Sequence, residues 1–316
     1  GRGDVRFRVG GPFTYIYAVD STCARWPRGW RVTRTHDGRP RRALASHQNV
    51  ARVDLTGGTA AGQELGAIAG ARSASYGAEL AGHAPLLVFD DVDLDQAVAG
   101  ACFAAFLAAG QTCVSAKRIF VHSSMYDAFA AKLATRADQL RVGDPFAPET
   151  DVGPLVSATA LAAARRFVDE SGAQILAGGS APCAERGYFF RPTVLAGDPA
   201  LDCFREECFA PVVCIAPFDD EADAITKANA SAYALGAGVW TRDVGRAHRV
   251  SAQLNAGVAW VNCHHLCGNQ PVCRVLGDDA AVLARSSGEE PAPPRHRAGV
   301  ASMAWRSTRR FGTNAP

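Results

Sequence analysis

The 316-residue sequence predicts an α/β fold with mostly parallel sheets. Short apolar runs alternate with helical stretches through the middle of the chain, the rhythm of strand–helix–strand units. A strand–glycine turn–helix unit opens that stretch, which is how such folds offer a helix N-terminus to phosphate. With 48% hydrophobic and 20% charged residues, the composition is that of a globular protein with a sizeable core.

The first 48 residues hold ten arginines and no lysine, and no apolar periodicity survives two helical turns there. Arg52–Thr56 reads as a buried strand, Gly57-Gly58 as a turn, and Thr59–Gly70 as a helix of small residues. Further strands are expected at Leu86–Phe89, Ile119–Val121, Val212–Ile215 and Gly238–Trp240. Helices are expected at Leu94–Ala109, Met125–Gln139, Ala158–Glu170, Glu221–Asn229 and Val244–Leu254. Residues 263–316 lose the pattern and carry Gly288-Glu-Glu-Pro-Ala-Pro-Pro294 followed by arginines, the composition of a basic tail.

Lys and Arg number 33 against 31 Asp and Glu, leaving +2, too even for a nucleic-acid binder recognised by overall charge. No apolar run has membrane-spanning length, so no membrane partner is expected. Ten cysteines are too sparse for a disulfide scaffold. Nothing resembles a secretion signal, so a cytoplasmic location is expected. Only Lys117, Lys132 and Lys227 are lysines, a skew towards arginine that fits GC-rich coding DNA.

Cys113 lies in Gly110-Gln-Thr-Cys-Val-Ser115, after a helix of small residues. A cysteine in a glycine-containing turn either presents its sulfur to a cleft, where backbone N–H groups stabilise thiolate and oxyanion, or is a buried structural residue. Glu79 ends a strand-like run, as a poised general base or as an edge residue in water. Gly57-Gly58-Thr59 precedes a helix without completing the dinucleotide fingerprint, because position 59 is Thr. Glu206-Glu207-Cys-Phe209 reads equally as a ligand clamp or a solvated loop. Cys263, His264, His265, Cys267 and Cys273 fit no zinc spacing, so no metal is expected.

Taken together, these residues resemble the aldehyde dehydrogenase superfamily from about Val50 to Asn262. Gly110-Gln-Thr-Cys113 is similar to its nucleophile motif. Glu79-Leu-Ala-Gly-His-Ala-Pro85 is similar to its E-L-G-G-K-x-P motif, followed by Val88-Phe-Asp-Asp-Val-Asp-Leu-Asp95. Gly143-Asp-Pro145, Gly153-Pro154, Gly187-Tyr-Phe-Phe-Arg-Pro-Thr193, Glu206-Glu-Cys-Phe-Ala-Pro211, Leu235-Gly236 and Ala256-Gly-Val-Ala-Trp-Val-Asn262 follow in family order.

The resemblance implies an aldehyde dehydrogenase-like α/β fold: a partial Rossmann-type cofactor domain over residues 49–112 and a catalytic domain over 113–262. It implies oxidation of a small-molecule aldehyde to a carboxylic acid through a cysteine thiohemiacetal and thioester. The cofactor would be NAD, or NADP. Cys113 would be the nucleophile and Glu79 the general base. Glu207 and Phe209 would meet the nicotinamide side, and Gly57 and Gly58 the cofactor phosphates. A homo-oligomer is the family's usual state. The alternative is an inactive fragment that acts at most as a binding module.

Four positions depart from the family motifs. Ala81 replaces a glycine, with a methyl where glycine torsions are expected. His83 replaces the usual lysine, and Ala210 a glycine before proline. Gly58 stands where the family usually has Ser, removing a donor. Residues 1–48 and 263–316 show none of the family's remaining motifs, and both are expected to be out-of-frame readings of the same gene. With synonymous codons chosen freely, Met303–Gly312 back-translates so that a shifted frame reads G-L-A-E-Y-T-A-V-R, a family-like C-terminal strand.

Overall fold

A computed structural model describes residues 15–18, 39–181, 186–265 and 300–302, with 15–18, 39–40 and 300–302 as backbone alone. Strand β1 (Tyr15–Ala18) pairs antiparallel with β2 (Arg52–Thr56), which pairs parallel with β3 (Ser75–Glu79). Helix α2 (Thr59–Ala71) makes the crossover from β2 to β3. Val53, Leu55 and Leu65 are buried between this sheet and its helices.

Helix α1 (Arg39–Ser46) falls within the stretch where the sequence shows no sustained periodicity. Two turns present too few apolar positions to display a period. Tertiary contacts hold it instead. Ala45 is buried and Leu44 packs beside it, Arg41 and Arg42 pair with Glu64 of α2, and the Arg72 guanidinium donates to the carbonyls of Ala45 and Val50.

Four residues after β3 the chain enters β4 (Ala84–Val88), in a second sheet of eight strands. The others are β5 (Ala116–His122), β6 (Gln174–Ala177), β7 (Thr193–Ala196), β8 (Val212–Phe218), β9 (Gly236–Trp240), β10 (Val258–Val261) and β11 (Val300–Ser302). Their order is β11-β10-β9-β4-β5-β8-β7-β6, parallel throughout except at β6–β7. Of the five strands expected from sequence, Arg52–Thr56 is β2 and the other four are β4, β5, β8 and β9 of this sheet, each of five to seven residues.

Both faces of the second sheet are covered along β4, β5, β8 and β9, so these strands read as largely apolar runs. Leu86 and Val88 of β4 face α3 (Leu94–Phe106) and α4 (Tyr126–Gln139). Leu87 and Phe89 face α5 (Ala158–Asp169), α6 (Glu221–Asn229) and α7 (Val244–Gln253). Side-chain N-caps start four of these helices: Asp93 on Gln96, Ser157 on Ala160, Asp220 on Asp223 and Asp243 on Arg246. α6 spans the residues expected for it; α4, α5 and α7 lie within a residue of expectation at either end.

Helix α3 is the exception. The sequence carries it to Ala109, but it stops at Phe106, and Ala108, Ala109 and Gly110 take φ of 54°, 55° and 65°. Alanine favours helix and gives no stop signal; left-handed torsions at two alanines cost about 1–2 kcal/mol each and are held by the surrounding packing. The concern over Ala81 is resolved differently: it is buried, and its φ is not among the left-handed ones.

Candidate active site

Cys113 hangs from the turn that follows those three left-handed residues. Gln111 fastens the turn to its surroundings: its side-chain carbonyl accepts from Val156 N–H at 3.0 Å, and its amide donates to Ala108 O at 3.3 Å. Gly110 packs so tightly that a Cβ there would stand 2.2 Å from Ala210 O. A side chain at 110 would face both that clash and an unfavourable φ.

Glu79 closes β3, and its carbonyl accepts the Gly57 N–H at 2.9 Å, tying the strand end to the glycine turn. From there Leu80–His83 runs across to the second sheet and brings Gly82 against the nucleophile turn: a Cβ at Gly82 would lie 1.9 Å from Cys113 O. The Gly82 N–H donates to Glu207 Oε1 at 3.1 Å. Glu79, Cys113 and Glu207, from three separated stretches of sequence, thus converge at one place.

Burial is the main force that raises the Cys113 thiol above its ordinary value, and the carboxylates of Glu79 and Glu207 add to it. Burial also raises Glu79. It raises Glu207 as well, against the opposing pull of the Gly82 N–H and the Lys117 ammonium. Cys113 therefore favours the thiol at neutral pH, with two carboxylates near enough for their charges to act on it.

Gly58 caps α2 with no side-chain hydrogen bond, and nothing lies within 4 Å of where its Cβ would stand. The first turn of α2 is thus open, with backbone N–H groups free of side-chain caps and suited to an anionic group. Phe209 is half-buried in the loop that carries Glu207, between the turn Asp202–Phe204 and β8. This open helix start fits the phosphate of a dinucleotide.

Three buried groups beside this site lie outside the motifs that carry the family resemblance. Lys117 is buried, and its ammonium donates to Gly110 O at 2.7 Å and Ala210 O at 2.6 Å. Burial pulls Lys117 down to about 8. Arg118 donates to His83 O and to Lys227 O and Ala228 O at the C-terminal end of α6. His264 lies 4.6 Å from the Trp260 ring, centroid to centroid, with Nε2 2.7 Å from Val114 O; burial holds it neutral down to about 3. The available signal is a pair of basic residues inside the apolar run Ala116–Val121, since a strand covered on both faces keeps a charge only where partners await it.

Cys263 is buried and His264 faces Val114, while Cys267 and Cys273 lie outside the described residues. Among the described residues no group of three or more His, Cys, Asp or Glu is placed to hold a metal ion. No helix there is long and apolar enough to cross a membrane.

The aldehyde dehydrogenase family profile matches residues 32–289, wider at both ends than the motif resemblance and taking in α1. Betaine aldehyde dehydrogenase of Sinorhizobium fredii is 40% identical over 229 residues, covering 71% of this chain and 47% of that protein. The Cereibacter sphaeroides protein of the same name is 41% identical over 228 residues, again covering 71% of this chain and 47% of its own length. Among solved structures, a point mutant of betaine aldehyde dehydrogenase from Staphylococcus aureus in complex with NAD+ superposes with a TM-score of 0.70 at 33% identity, covering 72% of this chain and 48% of that one. HpcC from Thermus thermophilus does so with a TM-score of 0.70 at 35% identity, covering 72% and 46%. The chain spans about half the length of the relatives it matches. Motifs, fold and profile agree: this chain belongs to the aldehyde dehydrogenase family.

Proposed function

We propose that this protein oxidises a small-molecule aldehyde to a carboxylic acid with NAD+, or NADP+, through a covalent intermediate on Cys113. The convergence of Glu79, Glu207 and the Gly82 backbone on Cys113 carries the reading. Relatives named betaine aldehyde dehydrogenase, one of them solved with NAD+, support both the aldehyde and the cofactor.

Cys113 loses its proton to solvent, and the sulfur attacks the aldehyde carbon to give a thiohemiacetal. When bound, NAD+ supplies a hydride acceptor, and loss of hydride from the substrate carbon leaves a thioester on Cys113. Glu79 then takes a proton from water as the water attacks the thioester. The acid departs and the thiol is restored. Burial raises Glu79 towards the working pH, where a general base is most effective; such catalysis contributes on the order of 10²–10⁴ in rate. The open start of α2 at Gly57 and Gly58 would hold the cofactor phosphates, and Glu207 and Phe209 would hold its nicotinamide side.

Sheet membership supports a division into a dinucleotide-binding part and a catalytic part between Glu79 and Ala84, rather than between residues 112 and 113. The test is direct: incubate the protein with an aliphatic aldehyde and NAD+, follow NADH, and look for acylated Cys113 by mass spectrometry. NADH formation that Cys113→Ser abolishes supports the reading. The second reading is an inactive chain that acts at most as a binding module. An alkylatable Cys113 with no NADH from any aldehyde selects it.

A further inference from the structure

We infer that Lys117 is a positioning residue that sets the spacing between the nucleophile turn and the cofactor-side loop. The inference rests on the reading of Cys113 and Glu207 given above.

A lysine whose side chain is fully buried in a parallel strand is costly unless its N–H groups are satisfied. Two of them go to carbonyls from opposite sides of the site: Gly110 O, three residues before Cys113, and Ala210 O, three residues after Glu207. The same two residues are also in direct contact, since the Gly110 α-carbon packs on Ala210 O. The ammonium therefore bridges two peptide groups whose separation fixes that between the Cys113 sulfur and whatever Glu207 holds. Lys117 also lies near enough to Glu207 for their charges to interact.

His83 strengthens the assignment. It stands where the motif has lysine, and it is buried beside Lys117 and Arg118 with its ring held uncharged by burial and by those two cations. The ammonium beside the two loops is thus supplied from β5 rather than from the Glu79–Pro85 segment. No other buried lysine is available to replace it, since Lys132 and Lys227 are on α4 and α6 with partners Asp95 and Asp223.

The experiment uses the whole chain. With three lysines in the sequence, the Nζ resonances of ¹⁵N-labelled protein are few enough to resolve. The Lys117 signal is expected to show through-hydrogen-bond coupling to the carbonyl carbons of Gly110 and Ala210. Lys117→Met is expected to speed amide exchange at least tenfold at both 111–113 and 208–210, leaving α5 and β7 unchanged. It should lower kcat for NADH formation at least tenfold, with the aldehyde KM within twofold, while iodoacetamide still reaches Cys113. Unchanged exchange at either loop, or an unchanged kcat, overturns the inference. If the wild-type chain makes no NADH, the proposed activity fails on that result alone, and coupling and exchange decide the role of Lys117. If Lys117→Met does not fold, a wild-type ammonium coupled to neither carbonyl overturns it.

Discussion

Gly82→Ala adds one methyl at the point where the Glu79–Pro85 segment meets the nucleophile turn. Its Cβ would stand 1.9 Å from Cys113 O, a separation that backbone atoms do not yield to a flexible side chain. The two segments must part by more than about 1 Å before the contact reaches even 3 Å, and a misplacement of that size near reacting groups costs about 10²-fold in rate. The turn has little freedom to give way. Gln111 is held to Val156 and Ala108, and Gly110 is wedged on Ala210. Overpacking of this kind destabilises by about 1–3 kcal/mol, which lowers the melting temperature by about 2–10 °C in a domain of this size. The variant should therefore fold, melt somewhat earlier, and both acylate and turn over about a hundredfold more slowly. The substitution deletes no hydrogen-bond donor, since the Gly82 N–H that serves Glu207 is kept. Stopped-flow measurement of aldehyde-dependent NADH formation, with iodoacetamide labelling of Cys113 alongside, reads it. A Gly82→Ala protein with wild-type acylation and turnover would refute the contact argument, as would Ala81→Gly having the larger effect, because the methyl at 81 is already accommodated.

Three further outcomes follow from the same geometry. Glu79→Gln removes a carboxylate that raises the Cys113 thiol, so alkylation at neutral pH should quicken while turnover falls about 10²–10⁴-fold; a parallel loss of both would argue against Glu79 as the base. His264 is held to about 3 by burial, so between pH 6.5 and about 3 the unfolded chain binds a proton that the folded chain does not, and stability falls as pH falls. That amounts to roughly 2 kcal/mol between pH 7 and pH 5. Urea titrations of His264→Gln should recover it, and an unaltered pH dependence would count against the reading. Arg118→Met leaves the carbonyls of His83, Lys227 and Ala228 without their donor, at about 1–3 kcal/mol for each that stays dry; a denaturation midpoint matching wild type would show that water replaces the guanidinium.

Sequence alone was enough for the alternation of elements, because strands covered on both faces must be continuously apolar and helices must carry caps and periodic faces. It was enough, too, for Cys113, Glu79, Gly57, Gly58, Glu207 and Phe209 as candidates, since each sits in a motif whose residue types and order are local. It could not supply α1, whose two turns are held by Ala45, Leu44 and the arginine contacts to α2. Nor could it supply the early end of α3, where alanines adopt left-handed torsions that only the surrounding packing sustains. The convergence of Glu79, Cys113 and Glu207, the wedge of Gly82 on Cys113 O, and the ammonium of Lys117 between Gly110 and Ala210 were decided by tertiary structure. Each joins residues far apart in the chain or hides a charge in an apolar strand, and local pattern carries no record of what a side chain will meet once the sheets close around it.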